Sequence, residues 1–230
     1  MSKILASIQN MSEAKIIINS EIDIIDLKDP EKGALGKLKT NDIKNIINFI
    51  NKKKLTSSTI GDLPNNKILI KKIVDELSKT NIDFIKIGVY ENNYIDTLSE
   101  IKSIKKLIAV FFADLFLPST NDLLVLKKSG FSGVMLDTSN KKSGNLFNHL
   151  DYSDLSNFIL NSKKLNLLTG VAGSINKSHI DQILKLSPNY MGFRGALCEN
   201  KLSRSSKISA NNVENIVQEV KALKKISMSA

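Results

Sequence analysis

Two lysines occupy positions where a lysine is costly. Lys28 closes the stretch Asp23-Ile24-Ile25-Asp26-Leu27-Lys28-Asp29-Pro30, and Lys86 lies inside Phe84-Ile85-Lys86-Ile87-Gly88. Both runs are short, apolar and rich in β-branched residues, the composition of buried strands. Asp26 and Lys28 are two apart, so on a strand they point to the same side. A carboxylate and an amine on an otherwise apolar strand are expensive unless paired. The pair is then either a structural ion pair or the centre of a site. Two amines and a few carboxylates in a partly dry cavity are what a Schiff-base enzyme needs. The attacking lysine must spend part of its time neutral, which burial and a neighbouring cation favour. A carboxylate beside it can shuttle protons, and Asp26 is placed for that.

The elements that would position these residues alternate from end to end. Strands are expected at 3–8, 22–28, 55–60, 83–89, 107–113, 132–137, 167–172 and 190–194. Helices are expected from Ser12 to about Asn19, from Thr40 or Asn41, and over 67–78, 94–104, 119–129, 153–164, 177–186 and 210–225. Helix 67–78, for example, would turn Ile70, Ile73, Val74 and Leu77 inward. Strict alternation implies parallel strands with right-handed crossovers. Eight such units in 230 residues match a closed (β/α)₈ TIM barrel forming a single domain, 1–230. An open doubly wound sheet is the alternative.

In a barrel the C-terminal strand ends share one face, and that face carries chemistry. Here those ends are polar: Asp26 and Lys28, Asp62 just beyond the third strand, Lys86, Asp114, Asp137, Gly173-Ser174 and Arg194-Gly195-Ala196. Interior layers draw on alternate strands. Lys28, Lys86, Asp137 and Arg194 all come from even strands and could form one layer, with Asp26 one layer below. The alternative turns the lysines outward to snorkel past the helices and leaves each aspartate a loop or cap role. The glycine pairs after the last two strands let backbone amides approach an anion. Together with Arg194 they favour a phosphorylated ligand.

Net charge is +10. An anionic partner is one reading of that charge; scattered, solvated lysine faces are the other and the favoured one, and no nucleic-acid partner is expected. No apolar run is long enough for a membrane span. One cysteine, Cys198, excludes an intramolecular disulfide and suits a reducing cytosol. Cys198 and the two histidines, His149 and His179, read as a buried or loop thiol and surface residues. No metal-ligand spacing and no dinucleotide fingerprint occurs, so no cofactor is expected. A homo-oligomer is common for such enzymes.

The stretches DIIDLKDPEKGALG (23–36), SSTIGDLP (57–64), DFIKIGVY (83–90), VMLDTSNK (134–141), VAGSINKSHI (171–180) and GFRGALC (192–198) are specific as a set. By them the chain resembles the (5-formylfuran-3-yl)methyl phosphate synthases, also called 4-(hydroxymethyl)-2-furancarboxaldehyde-phosphate synthases, of methanofuran-type coenzyme biosynthesis. The resemblance implies a TIM-barrel lyase joining two molecules of glyceraldehyde 3-phosphate. It implies Lys28 as the Schiff-base lysine and Lys86 as the proton acceptor. Asp26 and Asp137 match acidic positions, and Lys141 a lysine after the sixth strand. The sequence departs from the pattern after Cys198, where Glu199-Asn200-Lys201-Leu202-Ser203-Arg204 replaces a Gly-rich loop. An aldolase or isomerase for another phosphorylated sugar is the alternative chemistry, and a basic RNA-binding barrel the non-enzymatic one.

Overall fold

The computed structural model describes residues 2–140 and 142–229. Eight strands, β1 (Lys3–Ile8), β2 (Ile24–Leu27), β3 (Leu55–Thr59), β4 (Phe84–Val89), β5 (Lys106–Phe112), β6 (Gly133–Asp137), β7 (Leu168–Val171) and β8 (Tyr190–Phe193), pair in sequence order. Every pairing is parallel, and β1 pairs with β8 through Lys3↔Tyr190 and Leu5↔Gly192, which closes the barrel. Around it run α1 (Met11–Ile17), α2 (Thr40–Ile50), α3 (Lys67–Ser78), α4 (Tyr94–Ser99), α5 (Thr120–Lys128), α6 (Tyr152–Lys164), α7 (Ile180–Leu186) and α8 (Ala210–Ser229).

Each strand sorts its side chains by parity. In β1, Ile4, Ala6 and Ile8 join the layer between strands and helices, while Leu5 and Ser7 point into the barrel with Ile24, Ile108, Met135 and Tyr190. The helices supply the outer half of that layer. Ile43, Ile46, Ile47 and Ile50 of α2 are all buried, each worth roughly 1.5–3 kcal/mol.

Several ends differ from the expected ones for identifiable reasons. Asn10, not Ser12, caps α1, accepting from the Glu13 amide at 3.0 Å. Glu13 answers by accepting from the Gln9 amide at 2.9 Å, so the capping pair begins two residues earlier. Helix α4 stops at Ser99 rather than continuing to Ile104. Ile101 is buried outside the helix and Ile104 is 89% exposed, so carrying the helix on to Ile104 would gain little. The hydroxyl of Ser103 instead accepts from the Lys105 amide. Lys28 and Arg194 each stand one residue past β2 and β8, but the Lys28 amide still donates to Ile8 O at 3.0 Å, whereas Arg194 leaves the extended backbone at ψ −68°.

Candidate active site

The barrel is apolar in its lower half and charged in its upper half. Asp26 has no exposed surface. Three groups satisfy it: Ser7 Oγ donates at 2.8 Å, Ser57 Oγ at 2.6 Å, and Lys86 Nζ lies 2.7 Å away. The two serines are its register partners on β1 and β3, which places all three on one interior level. Burial pushes the Asp26 carboxyl up, but the charges of Lys86 and Lys28 and the hydrogen bonds outweigh it and hold the group below its ordinary 3.8. Asp26 therefore stays a carboxylate, and its oxygens are spent on fixing Lys86.

Above this level, Lys28, Lys86 and Asp137 line a cavity of about 260 Å³ at the C-terminal mouth. Both lysines point inward, at 6% and 2% exposure, which excludes the snorkelling alternative. Lys28 Nζ lies 4.0 Å from Asp137 Oδ2, a looser pair than Lys86 with Asp26. Asp137 Oδ1 also accepts from the Thr138 amide at 2.8 Å. Asp26 does not line the cavity. It lies a level lower, as the parity of the strands predicted, paired with Lys86 at 2.7 Å. A second, mostly apolar cavity of about 220 Å³ reaches Lys86 from the opposite, N-terminal end of the barrel, past Ile24, Phe84 and Tyr190.

Arg194 has its donors committed elsewhere. It lines the same cavity, but its guanidinium turns toward α1 and is fully engaged by protein. Nε donates to Arg204 O, Nη1 to Ser7 O and Glu13 Oε2, and Nη2 to Glu13 Oε1 and Ser206 O, at 2.6 to 3.1 Å. Five donors meet five acceptors, and Glu13 cancels the charge. In this arrangement Arg194 anchors the loop after β8 to α1. Asp62 and Asp114 also serve loops. Asp62 accepts from the Leu35 amide at 2.7 Å and from the Tyr90 hydroxyl. Asp114 accepts from the amides of Ser139 and Asn140 and the hydroxyl of Ser139, each at 2.7 Å. Burial works against the Asp114 charge, yet those donors hold it below the usual range.

Gly173, Ser174 and Gly195 line the cavity. Gly195 is informative because nothing lies within 4 Å of where its Cβ would be, and its φ is not positive. Neither sterics nor strain requires a glycine there, so the open space belongs to the cavity. Lys141 lies outside the described residues. Cys198 is buried under the loop after β8, with burial raising its thiol pKa first of all. His179 packs its ring 5.3 Å from Phe147. Among the described residues no three His, Cys, Asp or Glu side chains gather as metal ligands, and no helix is long and apolar enough to cross a membrane.

Glu13 escaped the sequence reading, and Arg204 belonged to a loop that reading held to be a plausible phosphate contact without assigning its residues. Glu13 carried a signal: it shares the face of α1 that buries Ala14 and Ile17, where a carboxylate must find a cation. Arg204 lies in the loop where the family pattern breaks, and sequence spacing says nothing about where such a loop folds back.

A sequence profile described as 4-HFC-P synthase matches residues 4–217. A (5-formylfuran-3-yl)methyl phosphate synthase of Methanococcus aeolicus is 31% identical over 94% of this chain and 98% of its own. One from Archaeoglobus fulgidus is 30% identical over 95% of this chain and 99% of its own. Among solved structures, 3-hexulose-6-phosphate synthase from Salmonella typhimurium superposes with a TM-score of 0.65 at 13% identity, covering 96% of this chain and 99% of that one. That similarity concerns the fold alone.

Proposed function

The chain belongs to the 4-HFC-P synthase family, and on that premise we propose that it condenses two molecules of glyceraldehyde 3-phosphate to (5-formylfuran-3-yl)methyl phosphate, acting as a lyase through an imine on Lys28. The cavity holding both Lys28 and Lys86 supports this most directly. Membership makes the chain an enzyme, since its relatives are named synthases.

The two amines take different roles in this proposal. Lys86 is fixed at 2.7 Å to a carboxylate that stays ionised, so its ammonium is held in place as a proton donor and, once it has given a proton, as an acceptor. Lys28, on the cavity wall 4.0 Å from Asp137, is the amine that attacks the carbonyl, the role the family resemblance implies for it. One triose phosphate is first isomerised to its keto form, with Lys86 moving the proton. Lys28 then expels water from the carbinolamine to give the imine, and loss of the α-proton gives the enamine. The enamine carbon attacks the second aldehyde. Ring closure by a hydroxyl, hydrolysis from Lys28, and loss of one phosphate and two waters overall balance the furan product. Asp137 is the carboxylate in the cavity that can relay these protons. Gly173, Ser174 and Gly195 leave room for phosphate oxygens beside the backbone. Lys141, from the loop after β6, is assigned to the same phosphates. No cofactor enters this scheme.

Borohydride reduction with glyceraldehyde 3-phosphate should fix one triose-derived adduct on Lys28, read by peptide mass mapping. The unreduced reaction should yield an ultraviolet-absorbing furan. An adduct on another lysine, or aldol product without furan, overturns the assignment.

A further inference from the structure

After β8 the chain makes one tight turn, Gly195–Leu197, and then an excursion over residues 199–207. The excursion is closed at its base by the antiparallel bridge Cys198↔Ile208 and by Glu199 N donating to Lys207 O at 2.9 Å. The Glu13–Arg194 pair pins it from beneath: Arg194 donates to Arg204 O and Ser206 O, and Glu13 accepts from the Ile208 amide at 3.2 Å. Gln9 Nε2 adds a bond to Ser205 O at 3.1 Å. So much fixed backbone serves to present one side chain.

That side chain is Arg204. It reaches to the loop between β2 and α2, where Nη2 donates to Gly33 O at 2.6 Å. It lines the cavity that holds Lys28, Lys86 and Asp137. Its Nε is buried without a hydrogen-bond partner, the single such side-chain atom among the described residues. Burial lowers the guanidinium from its ordinary range, Asp137 and Asp62 draw it back up, and Arg194 adds to the lowering. The contrast with Arg194 is direct. Arg194 spends five donors on protein acceptors, Arg204 one. A buried charged donor left unmade is costly. A guanidinium fork beside a cavity matches the paired oxygens of a phosphate.

We propose that Arg204 is the arginine that binds phosphate in this cavity, together with Lys141 and the glycine loops, taking the place the sequence pattern gave to Arg194, and that Glu13 and Arg194 position it. The phosphate concerned is that of the triose held at Lys28, so this step rests on the function proposed above. In the ligand-bound state Nε and one Nη donate to two phosphate oxygens, while Gly33 O keeps the loop docked.

Two readouts decide it in the full-length protein. Inorganic phosphate binding is measured by calorimetry for the wild type, Arg204→Ala and Arg204→Lys. Borohydride trapping then compares glyceraldehyde 3-phosphate with glyceraldehyde for each. Arg204→Ala should weaken inorganic phosphate at least tenfold and reduce the preference for the phosphorylated aldehyde by a similar factor. Arg204→Lys should recover part of both, since it keeps the charge and loses the fork. Wild-type phosphate affinity in Arg204→Ala, or equal loss with both aldehydes, overturns the proposal and leaves Arg204 a strap to Gly33. A wild-type protein that traps neither aldehyde refutes the imine on Lys28, while the calorimetry still decides the role of Arg204.

Discussion

A carboxylate without exposed surface survives in a barrel interior only if its charge is answered. Asp26 has Lys86 at 2.7 Å and two serine hydroxyls, so pair and hydrogen bonds are both complete. Removing one partner of such a pair costs about 3–5 kcal/mol, because the other is left buried and uncompensated. Asp26→Asn keeps a similar shape and can still accept from serine, yet strands the Lys86 ammonium. Its urea midpoint should fall by an amount equivalent to about 3–5 kcal/mol at neutral pH. The pH dependence follows from the direction of the shift. A carboxyl held below its ordinary 3.8 contributes stability that is fully present above that value and is lost as pH falls through the folded-state pKa. The wild type should therefore lose stability steeply below about pH 4, and Asp26→Asn should lose less over the same range. Parallel acid limbs for the two proteins would remove Asp26 from the acid response.

At the scale of elements, the mouth is built by loops that brace one another. Gly33 lies at φ 102°, and a Cβ there would stand 1.8 Å from Asp62 Oδ2. Asp62 in turn holds the Leu35 amide and the Tyr90 hydroxyl, whose own titration is pushed far up by burial and then by that bond. Gly33→Ala must expel Asp62 and strain the backbone, at a cost of about 1–3 kcal/mol. In an Asp62→Ala background the collision is gone and only the backbone strain remains. The double-mutant cycle should therefore show coupling of about 0.5–3 kcal/mol in urea unfolding; additive effects would mean that the two loops do not meet as described. This bracing also marks the limit of the sequence reading. Strand parity correctly turned Asp26, Lys28, Lys86 and Asp137 inward, because the period of two is imposed by the backbone itself. It failed at Arg194, which stands just past the end of β8, where the ladder no longer dictates direction and Glu13 across the β1–β8 seam captures it. The element boundaries slipped for the same reason. Ser12 and Asn10 are both sound caps, and only Glu13 reaching back to Gln9 decides between them.

At the scale of the molecule, the net charge of +10 has two components with different consequences. Much of the surface charge is locally answered, as in Lys67–Glu100, Lys185–Asp181 and Lys221–Glu21, or scattered singly over helices. Such pairs carry no direction and little energy. The mouth differs. Lys86 is answered by Asp26, Lys28 by Asp137 and Arg194 by Glu13, so among the described residues Lys201 and Arg204 leave this concave cavity net positive. Field lines concentrate in a cleft of one sign and raise the capture rate of an oppositely charged ligand. Salt shortens their reach, from roughly 30 Å at 0.01 M to about 10 Å at 0.1 M. A triose phosphate should feel this and glyceraldehyde should not. Between roughly 0.01 and 0.2 M sodium chloride, kcat/KM for the phosphorylated aldehyde should fall by about tenfold, the low end of electrostatic steering. The rate of imine trapping with glyceraldehyde should stay level across the same range. Because saturating substrate removes the encounter step, kcat should change far less than kcat/KM. If salt slows both aldehydes equally, the basic composition acts on the protein as a whole and the mouth steers nothing.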